Sequence, residues 1–469
     1  MALGKKKNRQ EELFVASAEL RKGPGHPFYA KLNAVLAEAG FDSHVETLCA
    51  PHYREGGRPG IPPGVYFRMV FIGYFEGIDS QRGIAWRCAD SLGLRSFLGI
   101  PLTEATPVHA SMSVIRQRLP EIVFDEVFRF LLGLLADKGL LKGRTLGIDA
   151  TTLEANAAMK SIVRRDDGKG WKDYLRKLAN AEGIEEPTDA DLQRMDRSRK
   201  DKKVSNEDWQ SPADPEARIA RMKDGTTHLA YKAEHAVDLD TGAIVAATVT
   251  QADRGDGPTG AETLIVAQSN LVQMGSEVAV EELVADKGYH DNRLLAQCAA
   301  WQVRTYIPER QQKHRRWTDK PGDYEAAFRA NRRRVCGEKG RKLQRKRSEE
   351  CERTFAHVCE TGGGRRSWLR GTADVLKAHL LRCAAHNLAL LLRKCFGLAK
   401  PRSGAGLFPL ILRLWSRIAA LAGGLVQIIG RIFSSPSPVR RPCTNASTPR
   451  KHPFFDGLLN PFSSSPKRL

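Results

Sequence analysis

Hydrophobic positions change their spacing twice along the chain. From His26 to Leu140 apolar residues recur at helical intervals. Phe28, Leu32, Val35 and Leu36 form one stripe, and Gly40 ends it. The run from Val65 to Phe75 is apolar nearly all round and predicts a buried helix. Gly77 ends that helix, and Asp79 and Ser80 cap another through Arg82, Arg87 and Ala89. Thr106-Pro107 leads into a helix over Met112 to Leu119, and Phe124 to Leu140 predicts a long one. From Arg144 the apolar runs become short. Arg144 to Ile148 reads as a strand ending on Asp149, and Glu282 to Ala285 as one ending on Asp286. His228 to Asp238 and Ala243 to Thr250 read as two strands joined at an Asp240-Thr241-Gly242 hairpin turn. Val303 to Pro308 is a last strand. Helical spacing returns at Thr259 to Gly275, at Asn292 to Gln302, around Glu352 and through Leu376 to Leu391.

This order of strands and helices predicts an α/β fold: a mixed sheet with helices on its faces, preceded by an all-α domain. Residues 155–225 break the pattern. They are polar and strongly charged, with isolated aromatics at Trp171, Tyr174 and Trp209. They read as a helical or partly flexible insert, in which Ser211 to Pro215 is a turn and helix start. The expected division is a basic flexible arm over 1–25, an N-terminal helical domain over 26–140, an α/β core over 141–395 containing the insert 155–225, and a basic, poorly ordered tail over 396–469.

Composition adds a partner class. The 469 residues are 41% apolar, which suits a folded core and not a disordered chain. Lys and Arg number 74 against 54 acids, a formal charge of +20. A field of that sign attracts nucleic acid. Ten of the nineteen residues over 329–347 are basic, and Glu338 is the one acid. A solvated helix face ordinarily mixes signs, so this run reads better as a phosphate-tracking surface. Arg82, Arg87, Arg95, Arg116 and Arg118 in the helical part are either phosphate contacts or a solvated face. The nine cysteines include no CxxC pair, so neither a zinc motif nor a disulfide framework is expected, and a cytosol-like compartment fits. The basic N-terminus has no apolar segment behind it and does not read as a signal peptide. The apolar run Leu407 to Phe433 is interrupted by Pro, Gly and Arg, so no membrane span is expected.

Phosphodiester chemistry suits two hard cations held by carboxylates. Asp149 and Asp286 at two strand ends and Glu352 on a helix would supply such a set if the fold gathers them. Taken singly, a strand-end Asp is more often a turn or cap residue, and a helical Glu beside Arg is usually solvated. The apolar strands behind both Asps and the basic run before Glu352 favour the joint reading.

The motifs then resemble those of bacterial insertion-sequence transposases of the DDE class, in the group related to the family 4/5 elements. The resemblance covers about residues 20–400. It is carried by His26-Pro27-Phe28-Tyr29, by Gly73 to Ile78, by Ala89 to Leu92, and by Gly147-Ile148-Asp149-Ala150-Thr151. It continues through His228 to His235, Ala285-Asp286-Lys287-Gly288-Tyr289 and Cys351-Glu352-Arg353-Thr354-Phe355, with Arg365-Arg366 and Arg370-Gly371 beyond. It implies a ribonuclease H-like core, Asp149, Asp286 and Glu352 as catalytic metal ligands, and Mg2+ or Mn2+ as a pair of ions. It also implies double-stranded DNA as partner, both transposon ends and target, with cut-and-paste strand transfer. A homodimer is expected because two ends must be paired, in the bacterial cytoplasm at the nucleoid. Arg353, Arg365, Arg366 and Arg370 are implied to hold the DNA backbone, joined by Lys287 of the second motif. The basic run adds Arg332, Arg333, Arg334, Lys342, Arg345, Lys346 and Arg347. Two positions depart from the family: Cys351 stands where Val is frequent, and Cys359 where Lys is common. Other readings stay open, namely a DNA-binding protein that does not cut and a structure-specific nuclease.

Overall fold

The computed structural model describes residues 25–401 except 55, 57–59, 199–204, 223–224, 311–315 and 319. Residues 1–24 of the expected arm and 402–469 of the expected tail lie outside the described residues. Seven α-helices come first among those described: α1 (Pro27–Glu38), α2 (Phe41–Cys49), α3 (Pro63–Glu76), α4 (Gln81–Asp90), α5 (Leu92–Leu98), α6 (His109–Arg118) and α7 (Glu121–Asp137). Their boundaries follow local chemistry. His26 Nδ1 accepts from Phe28 N at 3.1 Å, Ser80 Oγ from Gly83 N at 3.1 Å and Ser91 Oγ from Leu94 N at 3.3 Å, satisfying amides that a helix start leaves open. Gly77 ends α3 at φ 66°, a left-handed conformation that glycine adopts without strain. As its uniform apolarity predicts, α3 is buried on nearly every side. Its last residue, Glu76, is buried too, and accepts from Tyr29 Oη at 3.1 Å and Arg87 Nε at 2.8 Å.

The second part opens with β1 (Thr145–Glu154). The insert follows, with β2 (Val163–Arg164), α8 (Trp171–Ala181), α9 (Asp189–Ser198) and β3 (Trp209–Gln210). Then come β4 (Arg218–Arg221), β5 (Thr227–Asp238), β6 (Ile244–Gln251), α10 (Asp256–Gln273), β7 (Glu282–Ala285), α11 (Asn292–Ala300), β8 (Arg304–Tyr306), α12 (Gly322–Cys336), α13 (Glu338–Phe355) and α14 (Thr372–Phe396). A π-helical turn, Ala356–Glu360, follows α13. β1 pairs antiparallel with β5 and parallel with β7, and β8 adds parallel to β7. The outer edge of β5 is shared by β4 and β6, both antiparallel to it. Alternation along β5 assigns the helices to the two faces. Glu234 bonds Thr259 and Thr263 of α10, while the next residue, His235, bonds Thr354 of α13 and His379 of α14.

Four details differ from the sequence expectation. β1 does not end on Asp149 but runs on to Glu154, because its pairing with β5 continues that far. β4 lies within the stretch read as insert yet joins the main sheet. No helix starts at Ser211 to Pro215. Asp214 is buried and accepts from Tyr231 Oη at 2.7 Å and from Gly371 N at 3.2 Å, so its carboxylate serves tertiary bonds and caps no helix. The insert's aromatics are not isolated either: Trp171, Tyr174 and Trp209 pack with centroids 5.2–5.7 Å apart. α14 is the one described helix long and apolar enough to cross a membrane, and it is largely buried as core.

Candidate active site

Leu146 and Ile148 on β1, and Leu283, Val284 and Ala285 on β7, are fully buried and lock the two strands into the sheet. Their parallel register runs from Thr145 opposite Glu282 to Ile148 opposite Ala285. Asp149 and Asp286 are therefore the next step on neighbouring strands, which in any sheet lie about 4.8 Å apart. Asp286 Oδ1 accepts from Gly288 N at 2.7 Å, and Asp149 Oδ1 from Ala150 N at 2.9 Å.

α13 crosses the sheet over both strands. Gln344 Nε2 donates to the carbonyls of Ala285 and Tyr306, Arg347 Nη1 lies 3.0 Å from Asp149 Oδ2, and Thr354 bonds His235. The close approach requires Gly147. A Cβ there would lie 2.6 Å from Leu239 Cδ2, 3.0 Å from Cys351 Sγ and 3.2 Å from Arg347 Cγ. Lys346 bonds Asp240 at 2.6 Å, and Glu350 abuts Gly242, so that flank of α13 faces the β5–β6 turn beside the start of β1. At 100° per residue, Ser348 and Glu352 occupy the other flank, toward the carboxyl ends of β1 and β7. Glu352 is exposed there and accepts from Ser348 Oγ at 3.0 Å.

Further charged groups, which sequence reasoning missed, stand beside the two Asps. Lys232 Nζ is buried and reaches Asp256 Oδ1 at 2.6 Å, Thr259 Oγ1 at 2.8 Å and Glu234 Oε1 at 2.9 Å. Glu234 is fully buried and also accepts from Tyr289 Oη at 3.0 Å. Burial, then the negative charge of Glu234, Asp256 and Asp149, pushes the Tyr289 phenol well above its usual range. A Cβ on Gly288 would collide with carboxylate oxygens of Asp256 and Asp286, so these two acids flank one glycine. A cleft of about 330 Å³ opens alongside, lined by Asp256, Gly288, Asp291, Arg310 and Lys320 among others. The available signal was the alternation Lys232-Ala233-Glu234 in the middle of a strand. Opposite charges two apart share a face, and burial then demands partners.

The basic residues divide by their partners. Arg347 is tied to Asp149, Arg334 donates to Thr305 O at 2.9 Å, and Arg365 donates to Thr151 Oγ1 and Thr152 O at 3.0 Å. Arg353 pairs with Glu349 and Glu350, Lys346 with Asp240, Arg332 with Glu309 at 3.3 Å, and Arg366 with Glu154 at 3.5 Å while covering the Trp368 ring. Lys287, Arg333, Lys342, Arg345 and Arg370 are exposed and meet no acid among the described residues. In the helical part Arg87, Arg95 and Arg116 make internal bonds, to Glu76, to the Pro101 and Glu104 carbonyls, and to Asp374. Cys359, at the family's Lys position, is buried in the π turn.

Carboxylate oxygens are the donors that hard divalent cations take. Asp149 already draws a cation, the Arg347 guanidinium, whose Nε is buried without a hydrogen-bond partner. Asp149 midway along β1 and Asp286 just past β7 thus stand one register step apart on neighbouring strands, beneath a strongly basic helix. Residues 17–118 match the family described as Transposase domain (DUF772), and residues 290–392, which include Glu352, match the Transposase DDE domain. No curated protein and no solved structure matches the chain. Together the two matches support an insertion-sequence transposase of the DDE class.

Proposed function

We propose that the protein binds the terminal inverted repeats of an insertion sequence and carries out metal-dependent DNA strand cleavage and strand transfer. Asp149, Asp286 and Glu352 hold Mg2+ or Mn2+ in this reading, as a pair of ions. The observation that supports it is the register step that puts Asp149 beside Asp286, with α13, the helix that carries Glu352, crossing the sheet above them. With the short β4 set aside, the strand order β6-β5-β1-β7-β8, with β5 antiparallel to β1, supports reading the core as ribonuclease H-like.

Such ions, when bound, activate the attacking oxygen and stabilise the leaving one. The chain's own groups do the rest. Asp149 and Asp286 sit on buried strands and keep their spacing. Arg347 gives up Asp149 when the carboxylate coordinates, which frees its guanidinium for a phosphate. Arg365 holds the Thr151–Thr152 backbone just beyond Asp149. Lys287, Arg333, Lys342, Arg345 and Arg370 contact the DNA backbone, and two chains act together to pair two ends. The protein works on the bacterial chromosome.

The test uses duplex DNA carrying the repeats that flank the gene. Wild type cuts it when Mg2+ is present. Asp149→Asn, Asp286→Asn and Glu352→Gln each lose roughly a hundredfold or more of the cleavage rate, the scale of removing one stabilising group, while still binding the duplex. Cleavage by the variants at the wild-type rate would remove the metal assignment. Wild-type protein that binds the repeats without cutting them would leave a DNA-binding protein only.

A further inference from the structure

We propose that His235, His379 and Cys383 form a second, structural metal site for a zinc-type cation, on the α13–α14 face of the sheet and separate from the carboxylates. His235 Nε2 lies 2.8 Å from His379 Nε2 and 3.4 Å from Cys383 Sγ, and all three donor atoms lie within 4.8 Å of one another. His379 and Cys383 are four residues apart on α14 and so share one helical face. All three side chains are essentially inaccessible to solvent. Two imidazole nitrogens and one sulfur are donors that zinc prefers and magnesium does not.

Hydrogen bonding prepares the site. Thr354 Oγ1 donates to Cys351 O at 2.9 Å, so its oxygen accepts from His235 Nδ1 at 3.0 Å. The His235 proton is thereby held on Nδ1, and Nε2 presents a bare lone pair to its two neighbours, a bond of the kind that orients metal-ligating histidines. His379 Nδ1 is buried without a hydrogen-bond partner, so nothing holds that ring in the opposite tautomer. Without a cation, the His379 Nε2–H and the Cys383 S–H both turn to the one lone pair of His235. A cation removes that competition. Binding replaces the thiol S–H bond with a metal–sulfur bond and releases one proton to solvent, and the His379 ring proton moves from Nε2 to Nδ1. Burial keeps both imidazoles neutral, the ligating form; burial and Cys359 also push the Cys383 thiol well above its usual range against a smaller pull from Arg382, so the cation must displace a firmly held proton. Bond lengths of about 2.0–2.3 Å place tetrahedral ligands about 3.3–3.6 Å apart, so the two imidazoles need to part by only about half an ångström. The three side chains supply three of the four tetrahedral positions. The ion would join α14 to β5 at the residue paired across strands with Asp149.

The test is metal analysis and Co2+ substitution on untagged full-length protein. Wild type should hold about one zinc per chain after dialysis, and a strong chelator should lower its thermal midpoint. Co2+ in place of zinc should give a tetrahedral visible spectrum with a thiolate-to-cobalt charge-transfer band. Cys383→Ser should lose that band, whereas Asp149→Asn should keep it, which separates this site from the carboxylates. Folded wild type holding under about one tenth of an equivalent of zinc, with no charge-transfer band on Co2+ addition, overturns the proposal. So does a band that survives Cys383→Ser. If that variant fails to fold, the wild-type zinc content and cobalt spectrum decide alone.

Discussion

Arg347 is wedged between α13 and β1 with its side chain 11% exposed, and Asp149 is its anion. Removing that carboxylate leaves a largely buried guanidinium unpaired. Asp149→Asn should therefore cost about 2–4 kcal/mol of stability in Mg2+-free buffer, a little under the range of about 3–5 for a fully buried pair because the carboxylate is partly exposed. Glu352→Gln, on an exposed helical flank, should stay within about 0.5 kcal/mol. Urea unfolding distinguishes them, and equal midpoints for the two variants would show that the Asp149 pair contributes nothing. At this scale the neighbouring strands were legible: an apolar run leading to Asp is visible in Ile148-Asp149 and again in Ala285-Asp286, although β1 continues past Asp149 to Glu154. The roles of the bases were not. The basic run made Arg334 and Arg347 phosphate contacts and the family resemblance made Arg365 one, and the fold gives each a partner inside the protein. His235, His379 and Cys383 carried no signal, because no linear spacing joins a strand to a helix 144 residues away.

α12 and α13 turn a run of basic residues into surfaces with different duties. On the proposed reading, Arg333, Lys342 and Arg345 face phosphates, while Arg334 ties α12 to β8 through Thr305. Each cation withdrawn from a phosphate lowers the slope of log affinity against log salt by about 0.9. Replacing Arg333, Lys342 and Arg345 together with Gln should reduce that slope by up to about 2.7, read by fluorescence anisotropy over a salt series. Arg334→Gln should leave the slope unchanged and lower the unfolding midpoint. A triple variant with the wild-type slope would take DNA away from this surface. Element type was largely readable from periodicity, since uniform apolarity marked α3 and alternation marked β5. β4 escaped because Arg218 to Arg221 is short and charged at both ends, and becomes a strand only by borrowing the edge of β5. The expected helix start at Ser211 to Pro215 failed because a capping sequence cannot show that Asp214 is already engaged by Tyr231 and Gly371.

α14 packs against α3 and α7 on one side and β6 on another, and one apolar cluster runs from Phe28 to Leu392. Its apolar pattern announced a buried helix but not that it would be shared by the helical part and the sheet. That sharing predicts a single cooperative unfolding transition for both parts. His386 lies within this junction, 3.3 Å from Tyr74 Oη of α3, with His357 of the π turn beside it. Burial, reinforced by nearby cations, lowers His386 to about 3 and His357 to about 4. Both are bases depressed in the folded state. Above about pH 6.5 they are neutral folded or unfolded and contribute nothing to pH dependence. Below that the unfolded chain takes up protons that the folded one refuses, so stability falls as pH drops from about 6.5 toward 4. A fully buried imidazole such as His386 steepens the fall by up to about 1.4 kcal/mol per pH unit, and half-exposed His357 by less. Urea midpoints measured from pH 7.5 to 4.5 should decline along this course, and His386→Gln should flatten it. Because α14 belongs to both parts, far-UV circular dichroism and tryptophan fluorescence should give the same midpoint at every pH. An acid-induced transition confined to one signal would mean that the helical part separates from the sheet, and that α14 does not bind them into one unit.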